Sequence, residues 1–254
     1  MTNFVDKNSI VREIWGTSDT ILLVFAGASA EFALNKSVDW LYFTGKLPKD
    51  PLGRLFSTVN YAKAIVFSEK EAAIKAIDNI TAIHASVERK RGQSIPDWAY
   101  KDVLFMLIDY SIRSYEILER PLLTKEKQDV LNVFNKVGNR MGLKNLPLSY
   151  SEFETIREKH LKENLNNGEL TKDLYKQYRK HLGFFRYKLL LESQILLVPN
   201  TVKQQMKFRK TSLLKPNIWL YKIFRNLNLD WLVKEMILPT AYKQDIKRLN
   251  ITSN

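Results

Sequence analysis

Two helix-length runs laid end to end, DPLGRLFSTVNYAKAIVF and SEKEAAIKAIDNITAIHASVERKRG, occupy residues 50–92 and constrain the fold more than any other stretch. Asp50 is a favoured N-cap and Pro51 suits the first helical position, which predicts a helix from there to about Phe67. Ser68 with Glu71 three residues on matches a capping box, and the apolar period behind it holds to about Arg89. Residues three and four apart share a helix face. Arg54, Thr58, Tyr61 and Ile65 therefore form one stripe, and Ile77, Ile80, His84 and Val87 another. The imidazole is expected on the apolar, inward side.

The remainder reads the same way. Helical periods run near Asp19–Ala33, Asp97–Leu118, Lys125–Met141, Glu152–Leu165 and Lys172–Leu191, with short pieces after Asn217. Thr124 and Thr171 are expected N-caps, Ser151 with Glu154 a second capping box, and Pro121, Gly142, Gly168 and Pro199 mark stops. No segment alternates at period two long enough to insist on a sheet, and no repeat or low-complexity linker divides the chain. With 254 residues, 45% of them hydrophobic, one all-α domain of about eight or more helices over 1–254 is the expected architecture.

Composition removes several chemistries. Cys is absent, which excludes disulfides, thiolate-ligated haem, cysteine iron–sulfur clusters and cysteine nucleophiles. The three histidines, His84, His160 and His181, include no H-E-x-x-H pair, and there is no P-loop, G-x-G-x-x-G or G-x-S-x-G. His160 and His181 sit in lysine-rich company, EKHLKEN and YRKHLG, and are expected exposed or partly exposed with no site role. His84 has two readings that spacing alone does not separate: a core histidine with both nitrogens satisfied, or a metal or haem ligand in a dry helical pocket.

The run ILLVFAGASAEFAL is the most apolar, but at about fourteen residues it falls short of the roughly twenty a bilayer span needs. Glu31 interrupts it and no basic segment precedes it. A buried core helix is expected, its small residues admitting another helix or a flat cofactor. The N-terminus is not a signal peptide, so a cytoplasmic protein is expected. The net charge of +13 is densest in the last third, where Trp219, Tyr221, Phe224, Trp231 and Leu232 interleave with basic residues. Three readings compete: solubilising lysines, nucleic-acid contact, and a peripheral membrane surface. No nucleic-acid-binding signature is present and none is expected to bind. A membrane surface is the more economical partner, against helices over 209–254 that simply dock on the core.

The order DP, R-x-x-x-T on one helix and I-H-x-x-V near the end of the next resembles the catalytic domain shared by the latex-clearing rubber oxygenases and the membrane-associated oxygenase that trims the mycophenolic acid side chain. The likeness continues through WAYKDVLFMLIDYSIRSYEILERPL, KVGNRMGLKNLPLSYSEFETIREKHL and LLLESQILLVPNTVKQQMKF, covering about residues 11–208. The resemblance implies a globin-like helical domain that holds haem b and uses dioxygen to cleave a carbon–carbon double bond of an apolar, isoprenoid-like substrate. It makes His84 the proximal iron ligand and Arg54 and Thr58 the distal-side pair. Arg54 on that reading stabilises bound oxygen or clamps a propionate, against a solvated helix arginine. Thr58 donates to oxygen or bonds back to the carbonyl of Arg54. The family's lysine that caps iron stands at Ser57, too short to do so, which leaves the sixth site open or water-filled. The family's acidic base has no counterpart, although Asp39 lies nearby in sequence. The alternative is a non-catalytic helical carrier of haem or lipid at a membrane surface.

Overall fold

A computed structural model describes residues 2–45 and 49–227, without the side chains at 51, 52, 54–56 and 226. Eleven α-helices occur among the described residues and no strands, only isolated bridges between Asn3 and Glu69 and between Asn35 and Leu165. In chain order they are α1 (Ile10–Gly16), α2 (Ser18–Leu34), α3 (Val38–Phe43), α4 (Pro51–Val66), α5 (Lys70–Arg91), α6 (Asp97–Leu118), α7 (Thr124–Arg140), α8 (Tyr150–Glu163), α9 (Glu169–Leu197), α10 (Asn200–Gln205) and α11 (Ile218–Asn226). The all-α expectation holds, and the long periodic runs fall where their spacing puts them.

The helix starts test the capping arguments one by one. Asp50 caps α4, its Oδ1 accepting from the Gly53 N–H at 2.8 Å. Four other starts shift. At α5 the N-cap is Glu69, because Ser68 is drawn into pairing with the N-terminal segment: its carbonyl accepts from Phe4 N–H, while Lys70 N–H donates to Thr2. The α8 cap is Ser149, with Glu152 taking the Leu148 N–H at 2.8 Å, so the box sits two residues earlier than Ser151 and Glu154. Thr124 and Thr171 lie inside the first turns of α7 and α9. Thr171 uses its hydroxyl across the fold, donating to the Ala33 carbonyl at 2.7 Å.

The core is built on α2 and α6, which pack closely enough that Gly27 is obligatory. A Cβ there would stand 2.4 Å from the Tyr110 ring, a clash no rotamer adjustment of a buried ring relieves. Around them, Trp15, Phe105, Phe153, Leu131 and Ile112 are fully or almost fully enclosed. Glu31, expected only to interrupt an apolar run, is 1% exposed and meets Arg157 of α8 through two bonds of 2.6 and 2.5 Å. Asp109 accepts from the same guanidinium at 3.3 Å and from Arg113 at 2.7 Å, and the Tyr110 hydroxyl donates to Glu31 at 2.9 Å. Burial, then the Glu31 charge, pushes the Tyr110 phenol well above its ordinary value, so it stays a donor.

A second polar joint ties the ends of α2 and α8 to α6. Asp102 accepts from Asn35 at 2.7 Å, from Asn164 at 2.9 Å and from His160 Nδ1. His160 is 15% exposed and packs edge-on to Phe105, so it is held more tightly than its lysine-rich neighbours suggest, while His181 is exposed.

No single helix among the described residues is long and apolar enough to cross a membrane. The pair α1 and α2 passes on composition together, but is bent by 86° and carries Ile14, Trp15, Ile21 and Val24 in the core. At the C-terminal end α11 is anchored by Tyr221 to Asp19 at 2.7 Å and by Arg225 to Glu119 at 2.5 and 2.6 Å, with Trp219 exposed and Phe224 half-buried. Trp231 and Leu232 lie outside the described residues.

Candidate functional site

The faces of α2 and α6 turned away from the Glu31–Arg157 network are only partly covered by their neighbours. They wall a cavity of about 900 Å3 completed by α3, α4, α5, α7 and α9. Its lining is overwhelmingly aliphatic and aromatic, with Phe25, Phe32, Leu107, Phe134 and Leu190 among the contributors.

The two stripes read from spacing arrive here. On α4, Thr58, Tyr61 and Ile65 line the cavity, and on α5 so do Ile80, His84 and Val87. Ile77, the remaining member of the second stripe, is fully buried against Ile65 and Ala73, clamping the two helices together. The structure therefore brings His84 and Thr58 to one chamber. Ser57 is half-buried and is not among the lining residues. Arg54 lies in the first turns of α4, but its side chain is outside the described residues. Asp39 is occupied elsewhere: it pairs with Arg91 at 2.6 Å and does not reach the cavity wall.

Arg91 also stacks on the Trp40 ring, 4.0 Å from its centroid, and Trp40 lines the cavity. The last turn of α5 thereby holds α3 in place as a wall. The α9 wall is held from behind, Tyr175 bonding Gln194 at 2.9 Å and Gln194 bonding Ser29 of α2 at 2.9 Å.

His84 stands at a partition. Behind it lies a smaller chamber of about 270 Å3 whose lining includes Thr81, Glu88, Asp97 and Tyr100, so the same imidazole borders a large apolar space and a small polar one. The Tyr100 ring packs edge-on against it at 5.2 Å between centroids. The Tyr100 hydroxyl donates to Glu88 at 3.3 Å. Desolvation, followed by the Glu88 charge, raises that phenol above its usual range, which keeps it protonated.

Helical spacing points to His84 and Thr58 but does not single out Tyr100, Lys90 or Arg186. The last two are the Lys and Arg residues of the cavity lining among the described residues. Arg186 reaches it from a helix more than a hundred residues further along the chain, and no local pattern marks it. Among the described residues no group of three or more His, Asp or Glu is placed to hold a metal ion.

No curated protein and no solved structure matches this chain significantly. The family model described as ER-bound oxygenase mpaB/B'/Rubber oxygenase, catalytic domain, matches residues 18–237, which takes in every cavity-lining element, beginning a few residues after the stretch of resemblance read from the motifs and ending beyond it. The chain carries an oxygenase-type catalytic domain and belongs to the family of the ER-bound oxygenase mpaB/B' and rubber oxygenase catalytic domains.

Proposed function

We propose that the protein is a haem b-dependent oxygenase that uses dioxygen to oxidise or cleave a carbon–carbon double bond of an apolar, isoprenoid-like substrate. The observation that carries this reading is His84 on the wall of a large apolar cavity in a member of this family. The donor set suits the cofactor. One imidazole without a supporting cluster of carboxylates or further histidines is a poor site for a bare ion, but is sufficient for iron that brings four ligands of its own. A cavity of about 900 Å3 lies near the upper end of the roughly 300–1,000 Å3 typical of ligand sites. Lys90 and Arg186, cationic residues of its lining, suit the carboxylates of such a group.

On this reading His84 holds the iron, and Lys90 and Arg186, with Arg54, are the candidates to hold the propionates. When bound, the haem supplies the binding and activation of dioxygen. The chain's own residues do the rest. Thr58 offers a hydroxyl on the wall, Arg54 a cation on the same helix stripe, and the aliphatic lining orients an alkene and excludes water. The smaller chamber that His84 also borders, with Thr81, Glu88 and Asp97 in its lining, offers a polar setting to the imidazole, where a ligating histidine needs its other nitrogen oriented.

The test begins with the visible spectrum of the purified or haem-reconstituted protein. A Soret band that shifts on reduction and with carbon monoxide is expected, and His84→Ala should lower haem retention by about tenfold or more. Incubation with isoprenoid-like alkenes under labelled oxygen should place label in carbonyl products seen by mass spectrometry. An unchanged spectrum in His84→Ala removes the assigned ligand. Haem binding without dioxygen consumption on any such alkene turns the protein into a carrier.

A further inference from the structure

Helix α9 breaks in its middle, and the break exposes aromatic side chains. Gly183 has φ 70° and ψ −178°, a conformation that a side chain disfavours, and the residues that follow are Phe184 and Phe185, 58% and 85% exposed. Elsewhere α9 behaves as an ordinary amphipathic helix, with Leu174 and Tyr178 buried. The two phenyl rings pack edge-on against each other at 5.5 Å, and Lys188 lies 5.8 Å over the first. Between Asp173 and Glu192 the chain has five basic residues, Lys176, Arg179, Lys180, Arg186 and Lys188, and no acidic one. All but Arg186 are exposed.

We infer that this kink is a docking tip for an anionic lipid surface. Two solvent-facing phenyl groups at a helix break have an unfavourable exposure that an apolar phase relieves, and a run of basic residues on either side of them with no acidic residue among them matches a negatively charged headgroup layer. The placement gives the tip a use. Leu182, Arg186 and Leu189, the residues on either side of it, line the large cavity, and α3, packed on the earlier turns of α9 through Leu41 and Tyr42, exposes Phe43 from that cavity's wall. Docking there sets the lipid layer beside the chamber from which an apolar substrate is drawn. The docking itself rests on exposure and charge and stands apart from the haem reading; only the delivery of substrate rests on it.

Co-sedimentation of the full chain with vesicles tests it without any cofactor. Binding to phosphatidylcholine vesicles containing phosphatidylglycerol is expected, weaker binding to phosphatidylcholine alone, and a marked decline as salt rises. The double variant Phe184→Ser, Phe185→Ser should reduce partitioning by about tenfold or more while leaving the helical circular dichroism and melting curve unchanged. Arg179→Glu with Lys180→Glu should weaken binding to the charged vesicles only. Wild-type indifference to both vesicles overturns the inference, as does a double Ser variant that binds as well as wild type. So does light scattering in which wild type is a dimer that the double Ser variant dissolves, which would make the tip a contact between copies of this chain.

Discussion

Helices α2 and α6 have two faces that are finished in opposite ways. On one, Glu31, Asp109 and Tyr110 meet Arg157 in a dry, fully bonded network, and Gly27 lets the helices touch. On the other, Ala28, Phe32, Val103 and Leu107 front a cavity of about 900 Å3. Protein interiors are otherwise packed with few voids larger than a water molecule, so an opening of this size sets this face apart from the core. The closed face holds the scaffold rigid, and the open face has freedom to be shaped for a guest. The two halves should therefore respond to substitution in opposite ways.

The largest effect falls on the closed half. Replacing Arg157 with Ala leaves the buried Glu31 without its cation and Asp109 with Arg113 alone, and is expected to cost about 3–5 kcal/mol in urea denaturation. A loss under about 1 kcal/mol would show that the network is not what closes this half. A matched pair on one helix sharpens the contrast. Ala30→Leu, at a fully enclosed position, should destabilise by about 1–3 kcal/mol through overpacking, whereas Ala28→Leu, facing the cavity, should change stability by less than about 1 kcal/mol and instead impair ligand uptake. Equal stability losses for the two would mean the cavity wall is as constrained as the core.

The smallest effect belongs to neither half. Glu126 bonds Arg120 through both oxygens and takes the Leu123 N–H, and the Arg120 pairing is the chief cause that lowers its carboxyl from 4.5 to about 2. A depressed carboxyl contributes stability that is present above pH 4.5 and fades as pH falls toward 2. Glu126→Gln should remove that dependence, seen as a small flattening of the acid side of the stability profile, because the pair is exposed and screened.

Much of this organisation is legible in the chain. Asp50 and Pro51 mark the start of α4, and spacing places Thr58 and His84 on inward stripes that do converge. The misplacements lie at helix starts. Ser68, Thr124, Thr171 and Ser151 are competent caps by type, yet a residue one to three positions away took the role, and at two of these starts a tertiary partner engages the expected residue, as the N-terminal segment does Ser68 and Ala33 does Thr171. Arg157 looks like one more surface cation in SEFETIREKHL, because its partner Glu31 is 126 residues away. The short helices α1 and α3 are too brief to show a period, and they form because Ile14, Trp15 and Val38 are buried by other elements.

By itself the sequence determined that the chain is helical, where its longer helices run and which face of each is apolar, because period and composition are local properties of the chain. Tertiary structure alone decided that two of those apolar faces stand apart to leave a chamber, that Lys90, Tyr100 and Arg186 join His84 around it, and that Glu31 can be buried. Those outcomes depend on distances between segments far apart in the chain, and such distances are set only when every helix has found its neighbour.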